Sequence, residues 1–215
     1  MIIQHFQNRF NVMKNNGQHI QYVLDIGAYR GDFTETVHSV WPTAVVTQIE
    51  ADERQRPFLK NNAIFALLGN EVKESVDFFT LSDDKITTGS SIFRESTPHY
   101  TDQTTVIVKK PMTTIDELYK KHRFAGKWDS LGLVKMDTQG SELLILDGAK
   151  NFLNDKKPKY ILLETSIIEY NIGSPDISEY ITKMKNIGYR VTDIFDLSYG
   201  EKNQLIQVDI LWEKQ

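Results

Sequence analysis

Two acidic residues beside a glycine-bounded turn carry the first sign of chemistry in this sequence. Asp25-Ile-Gly27-Ala-Tyr-Arg-Gly31 follows an apolar run and precedes an amphipathic stretch, so it reads as the turn from a strand into a helix. Gly27 permits a tight turn without a Cβ clash, and Gly31 lets a ligand or the helix start approach closely. A dinucleotide fingerprint needs G-x-G-x-x-G to lay a pyrophosphate on the helix N-terminus. Here the glycine spacing is different and a carboxylate stands before the first glycine. That carboxylate suits a cationic ligand group and repels a pyrophosphate; the structural alternative is a tight turn with a surface Asp. Glu50 ends the next apolar run, where an acidic side chain accepts both hydroxyls of a ribose, although a lone strand-end Glu is more often simply solvated.

A second constellation runs Lys135-Met-Asp137-Thr-Gln-Gly140-Ser-Glu142, then Leu-Leu-Ile-Leu-Asp-Gly148-Ala149. Asp137 ends a strand and Gly140 breaks the chain before a helix, which puts the Asp at the carboxyl edge of the sheet, where open α/β sheets bind ligands. Asp137 is the first candidate for a general base acting on a hydroxyl; equally, it could be a structural Asp bonding the loop amides before Ser141. Glu142 reads as a helix-start residue. Glu164, followed by Thr165, faces the same edge and is a weaker candidate for acceptor binding. His99 lies in a loop, where a lone His is ordinarily just exposed. His5, His19, His38, His99 and His122 are scattered without the helical pairing of a zinc site. A divalent ion at Asp137 and Glu164 stays open but is not indicated.

The elements that must hold these residues alternate strand and helix, the pattern of parallel strands joined by crossovers. Strands are expected at 22–26, 44–50, 76–81, 106–109, 131–136 and 160–164. Helices are expected from Asp32 as N-cap to Trp41-Pro42, over 52–65 with a break at Pro57, over 113–121, after a Ser141 cap, and over 176–186. The last two strand patterns, 189–195 and 205–212, are joined by a connection too short for a crossover and should form an antiparallel hairpin. Ser82–Thr105 is a long polar segment, expected to close over a ligand as a lid. Residues 1–19 form an N-terminal helical extension with Ile3, Phe6, Phe10 and Met13 on one face, able to pack on the core, cover a site or join two subunits. Residues 20–215 make one domain.

Asp-x-x-Gly-x-Glu, an apolar run and Gly-Ala closely resemble the hallmark segment of FkbM-type methyltransferases. Asp25–Gly31, Glu50, Asn61-Asn62, Leu81-Ser-Asp83, Gly89-Ser-Ser91 and the Thr113–Leu118 stretch agree with that resemblance, which spans roughly residues 20 to 195. It implies an α/β fold: a three-layer Rossmann-like methyltransferase sandwich with a mostly parallel seven-stranded sheet and a C-terminal antiparallel hairpin. It further implies an S-adenosylmethionine-dependent O-methyltransferase acting on a sugar or another polyhydroxylated small molecule. Carried onto this chain, Asp25, Gly27, Ala28, Tyr29 and Gly31 become the methionine-side loop and Glu50 the ribose ligand. Ser82 and Asp83 become the adenine-side contacts, and Asp137 lies beside the transferring methyl.

Composition narrows the classes. A net charge of −4, from Lys+Arg 25 against Asp+Glu 29, leaves no basic excess for a phosphate backbone, so no nucleic-acid partner is expected. The absence of cysteine removes disulfides, thiolate metal sites and a Cys nucleophile. No run approaches the ~18 apolar residues of a spanning helix and the N-terminus lacks a signal-peptide core, so a soluble, cytoplasmic protein is expected. Two other classes share parts of the pattern. A nicotinamide-dependent oxidoreductase would share the sheet and Glu50, but Tyr180 is followed by Met184 where a Tyr-x-x-x-Lys pair would need lysine. A non-catalytic S-adenosylmethionine-binding module would keep the cofactor loop and lose the acceptor site.

Overall fold

The computed structural model describes residues 1–82, 88–122, 131–200 and 203–215. Among the described residues ten strands appear in chain order: β1 (Tyr22–Ile26), β2 (Val45–Glu50), β3 (Ile64–Phe65), β4 (Leu67–Leu68), β5 (Lys73–Leu81), β6 (Thr105–Thr113), β7 (Leu133–Met136), β8 (Tyr160–Ser166), β9 (Tyr189–Tyr199) and β10 (Leu205–Lys214). The α-helices among the described residues are α1 (Gln4–Asn15), α2 (Asp32–Val40), α3 (Ile115–His122), α4 (Glu142–Asp147), α5 (Lys150–Lys156) and α6 (Ile177–Asn186).

The main sheet has seven strands in the order β3-β2-β1-β7-β8-β10-β9. β3, β2, β1, β7 and β8 are mutually parallel, and β10 lies antiparallel to both β8 and β9. This is the mostly parallel sheet with a terminal hairpin that the sequence pattern predicts. Its strands are apolar on both faces because both faces are covered. On one side Phe6, Phe10 and Met13 of α1 and Phe33 and Val37 of α2 pack on Val23, Leu133 and Leu162; on the other, Ile145, Phe152, Tyr180 and Met184 pack on Val134 and Ile161. Of the three roles open to residues 1–19, packing on the core is therefore realised.

Three expectations need correction. The helix over 52–65 is a single 3-10 element, Glu53–Phe58. Pro57 lacks the N–H that an α-helix would need there, and the chain returns to pair Ile64 and Phe65 with Ile49 and Glu50. The 76–81 strand does not enter the main sheet: β5 pairs antiparallel with β6 in a separate three-stranded sheet ordered β4-β6-β5. Several of its positions, 73–75 and 106–109 among them, are exposed, as an antiparallel sheet permits and a central parallel strand does not. Asp32 is not the N-cap of α2 either. Gly31 occupies that position at φ +85°, and Asp32 instead receives the Met1 ammonium.

Candidate functional site

The carboxyl ends of β1, β2 and β7 meet at one edge of the sheet, and their loops are in backbone contact there. Gly27 sits at φ +72°, and a Cβ on it would lie 1.8 Å from the Asp137 carbonyl oxygen. Glycine at this position is what lets the β1 and β7 loops close on each other. Tyr29 follows at φ +47°, and this curl turns its N–H onto Glu50 Oε2 at 2.8 Å. Asp52 N–H takes Glu50 Oε1, also at 2.8 Å. Burial raises the Glu50 pKa, while these two backbone donors pull it back. The side chain is thus fixed at the end of β2 with a second lone pair open on each oxygen.

A cavity of about 250 Å³ opens between these loops, with Glu50 toward one end and Asp137 and Glu164 toward the other. Ile49, Leu67 and Phe78 form an apolar wall, and Ser90 and Ser91 border it. Ser91 belongs to the long polar segment and is anchored: it exchanges backbone hydrogen bonds with Phe79, and its Oγ donates to Thr138 O and Gln139 O at 3.0 and 2.9 Å. A second cavity of about 140 Å³ shares Gly27, Tyr29 and Asp137 with the first and reaches Lys135, Asp209 and Phe6. Together the two come to the low end of the roughly 300–1,000 Å³ of small-molecule sites.

Around Asp137 the charges form a network. Lys135, nearly fully buried, donates to Gly27 O at 2.6 Å and pairs with Asp137 Oδ2 at 3.3 Å and Asp25 Oδ1 at 3.5 Å. Burial pulls its pKa down, but the two carboxylates outweigh burial and hold the ammonium charged. Gln139, at φ +57°, bridges Asp137 Oδ1 at 3.2 Å and Glu164 Oε2 at 2.5 Å. Burial, then repulsion from Asp137, pushes the Glu164 pKa well above its ordinary value. Glu142 is fully buried and accepts from Thr138 N at 2.6 Å, Gly140 N at 3.1 Å and Tyr180 Oη at 2.6 Å. It holds the 138–140 turn. Ser141, expected to cap α4, occupies the N-cap position, but its Oγ donates back to Thr138 O at 3.2 Å and it makes no side-chain cap.

Of the residues singled out from the sequence, Gly27, Ala28, Tyr29, Glu50 and Asp137 line the two cavities. Others do not. Asp25 is 0% exposed and lies behind the loop, accepting from Thr34 Oγ1 at 2.9 Å and facing Lys135, so it presents no carboxylate to a ligand's ammonium. Gly31 faces Gln48 and Leu59. Ser82 is exposed at the end of β5 and gives its N–H to Thr104 O, because β5 belongs to the small sheet. Asp83 lies outside the described residues. Sequence reasoning passed over Lys135 and Gln139, although Lys135 had a signal: a charge inside Leu133-Val-Lys-Met136 must be paired when that strand is buried.

The family described as the methyltransferase FkbM domain matches residues 25–191. No curated protein matches the chain. Among solved structures, an FkbM methyltransferase from Methylobacillus flagellatus KT shares 16% identity at a TM-score of 0.48, covering 89% of this chain and 43% of that one. This chain thus spans less than half of that protein's length. An S-adenosylmethionine-dependent methyltransferase from Archaeoglobus fulgidus gives 12% identity, coverage of 98% and 94%, and a TM-score of 0.49. Fibrillarin from Aeropyrum pernix, with natively bound S-adenosyl-L-methionine, gives 11%, 96% and 74%, and 0.48.

Proposed function

Because this chain belongs to the FkbM methyltransferase family, we propose that it transfers a methyl group from S-adenosylmethionine to a hydroxyl of a sugar or similar polyhydroxylated small molecule. The observation that carries this reading is the cavity with Glu50 toward one end and Asp137 with Glu164 toward the other, at the carboxyl edge of the sheet. The donors present suit the cofactor. Glu50 would accept the ribose hydroxyls through its free lone pairs, the wall of Ile49, Leu67 and Phe78 would cover the adenine ring, and Gly27 and Tyr29 would border the methionine portion. The carboxyl groups of Asp137 and Glu164 suit a neighbouring sulfonium. When bound, the cofactor supplies a methyl on that sulfonium, open to in-line displacement.

The chain's own residues then orient the acceptor and hold the proton. Asp137 takes the hydroxyl proton as the oxygen attacks, and general-base assistance of this kind contributes about 10²–10⁴-fold. Lys135 holds the Asp137 carboxylate as an ion pair, and Gln139 ties it to Glu164. The loops around Ser91 keep water from the reacting atoms.

Calorimetry and thermal denaturation test the reading. S-adenosylmethionine and S-adenosylhomocysteine should bind and stabilise the fold by about 2.7 kcal/mol at a hundredfold excess over the dissociation constant. NAD should do neither. NAD binding without S-adenosylmethionine binding would overturn the proposal, and transfer of labelled methyl across a panel of sugars and simple alcohols would define the acceptor.

A further inference from the structure

We propose that His5, Asp196 and Asp209 bind a divalent transition-metal ion that fastens α1 to the β9–β10 hairpin beside the second cavity. The three side chains come from three elements, and one potential ligand atom of each lies within 4.8 Å of the others. Bound to one tetrahedral ion at about 2.0–2.2 Å, such atoms would stand roughly 3.3–3.6 Å apart, within reach of side-chain rotation.

Two observations beyond the clustering point to a ligand. His5 Nε2 is sealed from solvent and has no hydrogen-bond partner. Its ring is packed, edge-on to Phe6 at 4.2 Å and stacked with Phe195 at 6.4 Å. A buried ring nitrogen in that state has lost its water without replacement, and a metal bond would supply what is missing. Asp209 faces the second cavity, and its carboxylate makes no hydrogen bond or ion pair among the described residues. The nearby ammonium of Lys135 is committed to Gly27 O, Asp25 and Asp137.

The backbone contributes as well. The β9–β10 register slips between Gln207 and Asp209, and Asp196, at φ +44°, stands opposite that slip. A bulge re-aims a side chain, and this one turns Asp196 toward Asp209 and His5. One imidazole with two carboxylates favours a first-row transition metal over magnesium or calcium, and the exposed side of Asp196 leaves room for water to complete the shell. Phe6, beside His5, and Ile3 both line the second cavity with Asp137. An ion at this position would therefore hold the N-terminal wall of that cavity shut. Only this consequence rests on the methyl-transfer reading.

The full chain, stripped with a chelator, is titrated with Zn²⁺ by calorimetry and with Co²⁺ by visible absorption. The expected result is one ion per chain, cobalt ligand-field bands, and a higher melting temperature with Zn²⁺. His5→Gln and Asp209→Asn should each weaken binding at least tenfold and remove the melting shift while circular dichroism stays unchanged. Asp196→Asn, on the exposed side, keeps the test decisive if a buried variant fails to fold, and it must weaken binding too. Absence of stoichiometric binding by the wild type, or binding unchanged in the variants that fold, overturns the site. S-adenosylmethionine binding measured on the same samples separates the two readings: a chain that binds the cofactor but no metal rejects this inference and leaves the methyl-transfer reading standing.

Discussion

Three glycines with positive φ allow the contribution of backbone strain to be separated from that of a clash at the site. Gly17 (φ +79°) has nothing within 4 Å of an added Cβ; Gly31 (φ +85°) would place one 3.2 Å from Gln48 Nε2; Gly27 (φ +72°) would place one 1.8 Å from the Asp137 carbonyl oxygen. Gly17→Ala should cost about 1–2 kcal/mol, the left-handed strain of an L-residue alone. Gly31→Ala adds to that, because buried Gln48 is held at both ends, its Nε2 donating to Thr34 Oγ1 at 3.0 Å and its Oε1 accepting from Lys60 N at 3.1 Å. For Gly27→Ala the obstacle is backbone, so the β1 and β7 loops must separate, and an overpacking cost of about 1–3 kcal/mol adds to the strain. The sum of about 2–5 kcal/mol lies within the usual 5–15 kcal/mol of a domain, so the variant should still fold. Urea denaturation measures the three stabilities, and calorimetry measures S-adenosylmethionine affinity on the same proteins. Gly27→Ala should lose affinity at least tenfold because Asp137 and the Tyr29 turn move together, while Gly17→Ala should bind as the wild type does. If Gly27→Ala falls within 0.5 kcal/mol of Gly17→Ala and binds cofactor normally, the close approach of the two loops does not organise the site.

Asp137→Asn should keep the fold and most cofactor affinity yet lower turnover by about 10²–10⁴-fold, since an amide cannot take the proton; wild-type turnover would remove Asp137 as the base. Tyr180→Phe deletes the 2.6 Å hydrogen bond to buried Glu142 and should cost about 1–3 kcal/mol in urea denaturation, with an unchanged midpoint arguing against Glu142 as the anchor of the 138–140 turn. Burial, outweighing Lys135 and Thr34, raises the Asp25 pKa above 3.8, so the folded state holds that proton more tightly than the unfolded one. Its contribution to stability is full below pH 3.8 and is lost as the pH rises through the folded pKa, so Asp25→Asn should gain on the wild type across that window, and a pH-independent difference would refute the assignment. Amides in 88–104 should gain hydrogen-exchange protection when S-adenosylhomocysteine and acceptor are both present; identical exchange in the free and ternary states would make this segment a fixed wall and not a lid.

Local signals were enough wherever a residue acts through its own backbone or its own strand. The strand at 22–26, the helix ended by Trp41-Pro42, the helix expected over 176–186 and the terminal hairpin all follow from period, chain breakers and connection length, which are properties of neighbouring residues. The positions of Gly27, Glu50 and Asp137 at one sheet edge follow as well, because a parallel sheet brings the ends of its strands together by construction. The sequence also determined the resemblance that the family match bears out. Tertiary structure decided the rest. Whether a carboxylate faces a ligand or the interior depends on which side chains cover it, and Asp25, facing Thr34 and Lys135, is sealed in while Asp137 is left open. The strand at 76–81 has the same alternation in either sheet, so only long-range pairing could assign it to β6. Histidines with no helical pairing give no metal signature along the chain. His5, Asp196 and Asp209 lie far apart in sequence, and only the packing of α1 on the hairpin, with the bulge at Asp196, brings them within 4.8 Å.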